Sequence, residues 1–349
     1  PDTDTDVNFD MTNEQALAAY AKQLGQFTIQ EAAAGVLPNN VEFLSLLGIG
    51  NLARYDLRQA YRKHDTSQHI KGLLGMGHNG VYWLDIHEKQ AGPHGLVAGT
   101  TGSGKSELLQ TLILSWALSY SPAELAFVLI DYKGGGMANI FAKLPHTAGV
   151  ITNLSADGEE QDATQSSTQD SMQKVLTVRA LTSIKAEIKH RQAVFKTFGV
   201  NHIDAYIQLY KQGQASEPLP HLVIIVDEFA ELRKEQHDFI TDLVSAARVG
   251  RSLGVHLILA TQKPAGVVDD EIWSNSRFRA CLRVQDKQDS MGMLKRPEAA
   301  SLTQIGRMYL QVGNDEIFEE IQCAYTGAEY QPTDDGALTE TQICEMVQL

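Results

Sequence analysis

The sequence Gly99-Thr-Thr-Gly-Ser-Gly-Lys-Ser106 decides the fold of this chain. Two glycines, a lysine and a serine stand at the spacing of a phosphate-binding loop, in which backbone N–H groups point inward around an anion. In such a loop Lys105 reaches the β- and γ-phosphates of a nucleotide, and Ser106 ligates Mg²⁺. We therefore expect a nucleoside triphosphate to bind here. The predicted contact residues are Gly99, Thr100, Thr101, Gly102, Ser103, Gly104, Lys105, Ser106 and Glu107.

The segments around this loop favour the strand, loop and helix order that a phosphate site requires. Residues 95–98 form a short apolar run typical of a strand, and residues 107–118 are apolar enough for a buried helix. The positive N-terminal end of that helix would face the phosphate. The apolar runs 125–130, 222–226 and 255–260 predict further short buried strands between helices. Together they predict an α/β fold whose largely parallel sheet is covered by helices on both faces.

Two carboxylates follow the most apolar of these strands, in Leu222-Val-Ile-Ile-Val-Asp-Glu228. In enzymes with a phosphate-binding loop the first acidic residue supports Mg²⁺ and the second polarises the attacking water. On this interpretation Asp227 is a metal residue together with Ser106, and Glu228 is the general base. The alternative is an ordinary strand that ends in a polar turn.

Polar residues on either side of the strand predicted over residues 255–260 are further catalytic candidates. Gln262 can sense the γ-phosphate or hold the attacking water, although a simple strand-end turn explains it as well. Arg248 or Arg251 can be an arginine finger supplied to a neighbouring subunit. Both arginines can equally be solvated or salt-bridged surface residues. A similar set comprises Arg277, Arg279 and Arg283.

The segment Asp131-Tyr-Lys-Gly-Gly-Gly136 follows a predicted core strand, at the edge of the sheet where ligands bind in α/β folds. Its glycines allow a close approach of the backbone, and Lys133 can face a phosphate or a partner subunit. A flexible loop explains the same residues.

Composition limits the classes of function. The formal net charge of −14 argues against a general nucleic-acid binder, although it leaves room for a local basic groove. Three widely spaced cysteines, Cys281, Cys323 and Cys344, predict reduced thiols and a cytosolic environment. No apolar run approaches the length of about 20 residues that a membrane helix needs. Because the chain opens on proline rather than methionine, we expect a fragment of a longer protein, and a membrane anchor elsewhere in that protein remains open.

The order of segments predicts three regions. Residues 1–70 read as a small helical attachment, residues 71–330 as the α/β domain, and residues 331–349 as a linker to a following module. Within the domain, Val81 to Ile86 predict an edge strand. The polar stretch 155–173 predicts a solvated loop before a helix that begins near Val178.

These motifs together resemble the FtsK/SpoIIIE/HerA branch of RecA-like motor ATPases, over residues from about 80 to 330. Within that branch the sequence is most similar to the ATPase modules of the EssC/EccC motors of type VII secretion. Its motifs are most like those of the first of their tandem modules. The residues that carry the resemblance are Gly92-Pro-His-Gly-Leu-Val-Ala-Gly-Thr-Thr-Gly-Ser-Gly-Lys-Ser106, Leu129-Ile-Asp-Tyr-Lys-Gly-Gly-Gly136, Val226-Asp-Glu-Phe-Ala-Glu231, Gly250-Arg-Ser-Leu-Gly254, Ala260-Thr-Gln-Lys-Pro264 and Trp273-Ser-Asn-Ser-Arg-Phe278.

The resemblance implies a RecA-like core in a ring, usually a hexamer, with ATP and Mg²⁺ between subunits. It also implies a place at the cytoplasmic face of a bacterial membrane, membrane subunits of the secretion machinery as partners, and small helical-hairpin substrates of the WXG class. Family modules often have degenerate nucleotide motifs, whereas Lys105, Ser106, Asp227 and Glu228 are all present here. The resemblance therefore predicts a Mg²⁺-dependent ATPase that drives protein export.

Two alternatives remain at the level of sequence. The same branch includes DNA translocases, against which the acidic composition and the absence of a basic DNA-reading tail both count. The chain can also be a docking module, in which bound ATP fixes ring assembly with little turnover.

Overall fold

The computed structural model describes residues 36–132, 136–152 and 166–332, and for residues 166–177 and 237 it describes the backbone alone. Outside these ranges lie residues 1–35 of the predicted helical attachment, Lys133, Cys344 and most of the predicted C-terminal linker. The predicted division into three regions therefore stays a prediction.

The described residues form one ten-stranded sheet with the strand order β2-β1-β10-β9-β8-β3-β7-β6-β4-β5. The strands are β1 (Lys71–Gly77), β2 (Gly80–Asp85), β3 (Gly95–Ala98), β4 (Leu125–Asp131), β5 (Thr147–Thr152), β6 (His221–Asp227), β7 (Val255–Thr261), β8 (Phe278–Leu282), β9 (Arg307–Val312) and β10 (Ile317–Cys323).

The sheet is parallel from β8 through β3, β7, β6 and β4 to β5. The strands β9, β10, β1 and β2 extend it by antiparallel pairing. The predicted edge strand is β2, which ends the sheet on this side. The prediction of a largely parallel α/β sheet is confirmed.

Helices cover both faces of this sheet. They are α1 (Phe43–Leu46), α2 (Leu57–Lys63), α3 (Lys105–Ser119), α4 (Gly136–Ile140), α5 (Ser166–Phe198), α6 (Ile203–Lys211), α7 (Phe229–Glu235), α8 (His237–Gly250), α9 (Asp270–Asn275) and α10 (Lys287–Leu294). Short 3-10 turns occupy Leu52–Arg54, Arg251–Leu253 and Glu298–Ser301.

Alternate side chains of the strands enter two separate cores. On one face, Ile224 and Leu257 pack with the buried side chains of α5 to α8. On the other face, Val223 and Ile258 pack with α3, whose Trp116 is fully buried. Because both faces are apolar, β6 and β7 are buried at every position, which is why their sequences are nearly unbroken apolar runs.

The prediction of a loop over residues 155–173 is wrong at its C-terminal end. Helix α5 begins at Ser166, well before the predicted start near Val178. Residues 166–173 contain neither glycine nor proline, and once a helix exists each further residue adds a hydrogen bond for little entropy. Low hydrophobicity therefore did not prevent helix formation here.

The segment before β1 is tied to the end of β10. Phe43 N donates to Tyr325 O over 3.0 Å, and Tyr325 N donates to Val41 O over 2.7 Å. Phe43 also packs against Leu73 and Ala324 in a small third core. The described part of this segment is thus built onto the sheet of the α/β domain.

No helix within the described ranges has the length and apolar character needed to cross a membrane.

Candidate nucleotide-binding and hydrolytic site

The site lies where β3, β6 and β7 end. These strands are parallel, with Ala98 beside Thr261 and with β6 next to β7. Their carboxyl ends therefore meet at one edge of the sheet, where the glycine-rich loop, the Asp227-Glu228 pair and Gln262 follow them. The fold brings together three motifs that are far apart in sequence.

The glycine-rich loop is held in a conformation that glycine permits. Gly102 and Gly104 have φ values of 74° and 100°, in the left-handed region that other residues rarely adopt. Gly99 N donates to Thr261 O over 3.2 Å, and Thr100 N donates to Arg283 O over 2.9 Å. The loop is therefore anchored to both strands that flank β3, and it leads directly into the N-terminus of α3.

Lys105 is the first residue of α3 and its side chain is only 6% exposed. Its ammonium group is in direct contact with Asp227 Oδ1 and lies 4.0 Å from Glu228 Oε2. A buried lysine is stable only when its charge is compensated. In this structure the two carboxylates compensate that charge, and an anionic phosphate could take over the same role.

Glu228 has an unusual backbone conformation, with φ at 58° in the left-handed region. Such a conformation costs about 1–3 kcal/mol in a residue other than glycine, and it persists where surrounding contacts enforce it. Here Glu228 Oε1 accepts hydrogen bonds from Thr261 Oγ1 over 3.0 Å and from Gln262 N over 3.2 Å. These contacts hold the carboxylate at the end of β7.

The other carboxylate oxygen, Glu228 Oε2, is buried and has no hydrogen-bond partner among the described residues. Leaving a buried acceptor unsatisfied costs about 1–3 kcal/mol, so such an atom requires an explanation. An oxygen in this position can accept a proton from a water molecule placed beside the glycine-rich loop. That is the chemistry expected of a general base.

Gln262 lies at the same site. Thr101 Oγ1 donates to Gln262 Oε1 over 3.0 Å, so the glutamine side chain bridges from β7 to the glycine-rich loop. Gln262 is therefore close to both the loop and Glu228.

The oxygen donors present fit a hard divalent cation. Ser106 is exposed in the first turn of α3, and Asp227 projects from the end of β6 toward the same loop. Hydroxyl and carboxylate oxygens are the ligands that Mg²⁺ prefers, and Mg²⁺ usually binds through one or two of them together with substrate phosphates.

Arg248 and Arg251 do not join this site. Helix α8 ends at Gly250, and the following turn leads to the start of β7 at Val255. Both arginines therefore lie near the amino ends of the parallel strands, at the opposite edge of the sheet. Both are exposed, and Arg251 Nε is 3.9 Å from Glu88 Oε1. Neither arginine lies at the edge of the sheet that carries the glycine-rich loop.

The second set of arginines makes contacts within its own region. Arg279 is buried, stacks on the Trp273 ring at 3.6 Å from the ring centroid, and donates to Gly313 O. Arg277 pairs with Glu316 at 3.0 Å. The backbone carbonyl of Arg283 accepts a hydrogen bond from Thr100 N, and its guanidinium donates to Thr303 O over 3.4 Å. The side chains of Arg277 and Arg279 thus have partners within their own chain, and a finger role for any of the three stays a prediction.

Asp131 also has a local explanation. Its carboxylate Oδ2 accepts hydrogen bonds from the backbone N–H groups of Met137 and Ala138, at 3.1 Å and 3.5 Å. It therefore holds the segment after β4 against the sheet edge. Lys133 lies outside the described residues.

One residue of the site was missed by the sequence reasoning. Thr261 is 1% exposed and donates directly to Glu228. Its position at the end of an apolar run, next to Gln262, is the signal that could have identified it.

Comparisons with known proteins extend these observations. The model of the FtsK/SpoIIIE family matches residues 55–266. The chain is 48% identical over 344 residues to the type VII secretion system protein EssC of Staphylococcus aureus, covering 98% of this chain and 22% of EssC. It is also 48% identical to the ESX secretion system protein EccC of Geobacillus thermodenitrificans, covering 93% of this chain and 21% of EccC. The chain thus spans about a fifth of the length of these relatives.

Solved structures give the same result. The cytoplasmic domain of the type VII secretion ATPase EccC from Thermomonospora curvata superposes with a TM-score of 0.73 at 31% identity, over 88% of this chain and 34% of that one. The resemblance to EssC/EccC that the motifs predicted is confirmed. The chain belongs to the FtsK/SpoIIIE family.

Proposed function

We propose that this chain is a Mg²⁺-dependent ATPase module that drives protein export through a type VII secretion system. The single observation that carries the hydrolytic part is the Glu228 carboxylate. One oxygen is fixed by Thr261 and Gln262, and the other is buried beside Lys105 without a hydrogen-bond partner among the described residues. The similarity to EssC and EccC supports the secretion part.

The proposed reaction is the attack of water on the γ-phosphorus of ATP, which breaks the bond from that phosphorus to the β–γ bridging oxygen and releases ADP and inorganic phosphate. The N–H groups of the glycine-rich loop hold the phosphates, and Lys105 turns from Asp227 to the β- and γ-phosphates. Glu228 Oε2 accepts the proton of the attacking water, while Gln262 helps to position that water. Ser106 and Asp227 would hold Mg²⁺, which supplies charge neutralisation on the phosphate oxygens.

A neighbouring chain would complete the site. Because Arg248 and Arg251 lie at the far edge of the sheet and are exposed, either could act as an arginine finger only on a second subunit. We therefore propose a homo-oligomeric ring, a hexamer in the parent protein, in which an arginine of one subunit stabilises charge on the phosphates held by the next.

The module would act at the cytoplasmic face of the bacterial membrane, with membrane subunits of the secretion machinery as partners. Its cargo would be small helical-hairpin proteins of the WXG class. The acidic net charge disfavours the phosphate backbone of DNA as the substrate.

The proposal can be tested with Lys105→Ala in the full-length protein within its own bacterium. We expect WXG-class proteins to disappear from the culture medium while they accumulate in the cells. The matched control is Lys143→Ala, which removes an exposed lysine away from the loop. Unchanged export by the Lys105 variant would contradict the proposal. DNA-stimulated, salt-sensitive ATP hydrolysis by the purified wild-type protein would favour the DNA translocase instead.

A second candidate is a nucleotide-gated docking module, favoured by the contact between Lys105 and Asp227. This contact keeps the lysine on a carboxylate, so ATP must displace it before chemistry can follow. If forced oligomerisation of the purified chain leaves bound ATP intact over many minutes, docking rather than turnover is the function.

A further inference from the structure

The segment that follows Gln262 leaves the sheet and forms a turn over residues 263–268. Pro264 O accepts hydrogen bonds from Val267 N over 3.1 Å and from Val268 N over 3.0 Å. At the start of the turn, Lys263 N donates to Thr261 Oγ1 over 3.2 Å. Because Gln262 stands between β7 and this turn, the position of its side chain depends on how both are held.

Helix α7 holds the turn on one side. Its Arg233 donates to Val267 O, and the same guanidinium pairs with Asp269 at 2.6 Å. Helix α7 begins directly after Glu228. The turn therefore follows one catalytic candidate in the sequence and contacts the helix that follows the other.

Helix α10 holds the turn on another side. Asp289 Oδ1 accepts a hydrogen bond from Ala265 N over 3.2 Å. Three residues further along the helix, a Cβ atom on Gly292 would lie 3.7 Å from Ala265 Cα, which is an ordinary van der Waals distance. Helix α10 thus packs directly against the backbone of the turn, and a carboxylate ties the two together.

The hydrogen bond of Asp289 joins two elements instead of capping its own helix. Asp286 is the N-cap of α10, and its Oδ1 accepts from Asp289 N over 2.9 Å. In a capping box the acidic side chain at the third helical position bonds back to the N-cap amide. Asp289 stands at that position, but its carboxylate extends to Ala265 N, outside α10.

The burial of this carboxylate carries a cost. Asp289 is 6% exposed, and Met293 of the next helical turn is fully buried. Burial raises the pKa of Asp289 and is the largest influence on it. The hydrogen bond from Ala265 N lowers that pKa, and the charge of Asp286 raises it again, so that the pKa lies above its usual range. An apolar residue would pack here without this cost. The contact with the turn is what the carboxylate provides in return.

We propose that Asp289 is a positioning residue for ATP hydrolysis, which acts through the turn after Gln262 and not by contact with the nucleotide. Its carboxylate fixes Ala265, and the fixed turn keeps the Gln262 side chain on Thr101 of the glycine-rich loop, beside Glu228. The proposal rests on the proposed ATPase function. It adds to the site a residue from a helix that none of the sequence motifs of the site includes.

The first test measures phosphate release and ATP affinity on the oligomerised full chain. Asp289→Leu removes the acceptor, and Asp289→Asn keeps an acceptor oxygen without the charge. For a misplaced Gln262 we expect kcat of the leucine variant to fall roughly 10-fold, while its ATP affinity does not change. The asparagine variant should retain most of the wild-type kcat. The matched control is Asp286→Asn, which removes a charge from the same end of α10 and keeps a good N-cap residue. It should match wild type.

A cycle of single and double substitutions separates positioning from general support of the fold. If Asp289 acts through Gln262, Asp289→Leu should lower kcat no further in a chain that already carries Gln262→Ala. Urea unfolding of each variant identifies any that does not fold. Asp289→Ala, which adds no bulk, is the second variant for the same cycle if the leucine variant does not fold.

The outcomes distinguish this proposal from the one on which it rests. Wild-type kcat in the folded Asp289 variants would overturn the positioning role. A loss that adds in full to that of Gln262→Ala would also overturn it, and both results would leave the ATPase function standing. Wild-type protein that binds ATP but releases no phosphate after oligomerisation would overturn the ATPase function, and this inference with it.

Discussion

At the residue scale, the hydrogen bond from Thr261 to Glu228 is the contact that most directly controls the proposed chemistry. It fixes one oxygen of the carboxylate and so determines where the other points. Replacing Thr261 by valine keeps the shape of the side chain and removes the donor. A hydrogen bond to a charged group contributes about 1.5–3 kcal/mol, so misplacement of the base should lower kcat by roughly 10- to 100-fold.

The measurement is steady-state phosphate release by the assembled protein. Because the Thr261 hydroxyl contacts Glu228 and Lys263, while only the backbone of Thr261 contacts the glycine-rich loop, KM for ATP should change little. Thr261→Ser keeps the hydroxyl and should retain most of the activity. Equal rates for the valine and serine variants would show that the hydroxyl does not orient Glu228.

The sequence predicted the identity of most residues in the candidate site, because the glycine-rich loop and the Asp-Glu pair have short, specific patterns. It did not predict that Glu228 Oε2 would be buried beside Lys105 with no hydrogen-bond partner among the described residues, an arrangement that depends on a left-handed backbone at the end of β6. The sequence also could not distinguish Arg279 from the arginines that are candidates for the arginine finger. That arginine is occupied by a tryptophan ring and a carbonyl that only the folded chain brings near it.

At the element scale, the contact between β3 and β8 limits what the central strand can tolerate. Gly95 pairs with Phe278, and a Cβ atom on Gly95 would lie 2.2 Å from the phenyl ring. The ring is fully buried. We expect Gly95→Ala to destabilise the protein by about 1–3 kcal/mol through overpacking, as measured by urea unfolding.

A matched glycine on another strand provides the control. Gly149 in β5 has no atom within 4 Å of a Cβ added to it, so Gly149→Ala should leave the free energy of unfolding nearly unchanged. Phe278→Leu should relieve part of the cost when combined with Gly95→Ala. Equal stability of the Gly95 and Gly149 variants would refute the packing argument.

Strands were predicted correctly from the sequence where a continuous apolar run was the dominant signal. The buried parallel strands β3, β4, β6 and β7 were predicted because both of their faces are apolar. The strands β9 and β10 were not, since they mix charged and apolar side chains, as in Ile317–Cys323. Their place in the sheet depends on pairing with distant strands. The early start of α5 was missed for a related reason, because polar residues without glycine or proline allow helix as readily as loop.

At the scale of the whole molecule, a group of buried histidines should make the fold sensitive to acid. His221 Nδ1 and His256 Nε2 lie 2.9 Å apart. Burial lowers the pKa of His256 to about 3 and that of His221 well below its usual range. Burial, with the charge of Arg251, lowers the pKa of His94 to about 4.

The sign of the effect follows from proton binding. These histidines stay neutral in the fold and become protonated in the unfolded chain below about pH 6.5. The unfolded state then binds more protons, so stability should fall as pH decreases from 6.5 toward 4, by about 1.4 kcal/mol per pH unit for each histidine. His202 opposes this trend, because its hydrogen bond with Asp204 raises its pKa. Burial alone would raise the pKa of Asp204, but hydrogen bonds from His202, His87 and Lys89 outweigh it and lower that pKa. The contribution of Asp204 to stability is therefore lost only below about pH 4.

Urea unfolding at several pH values between 7.5 and 4.5 measures this slope. His256→Gln should make the slope shallower by about one proton, whereas His190→Asn, at an exposed position, should leave it unchanged. A free energy of unfolding that does not vary over this range would contradict the assignment of neutral buried histidines.

If Glu228 is the base for ATP hydrolysis at the glycine-rich loop, replacing its carboxylate by an amide should stop turnover and leave ATP binding intact. ATP binding and phosphate release are measured on the same oligomerised preparation of Glu228→Gln, beside Glu231→Gln, which changes an exposed carboxylate on the adjacent helix. We expect the Glu228 variant to bind ATP as wild type does and to release phosphate at least about 100-fold more slowly, while the Glu231 variant should match wild type. Undiminished phosphate release by the Glu228 variant would show that Glu228 is not the base.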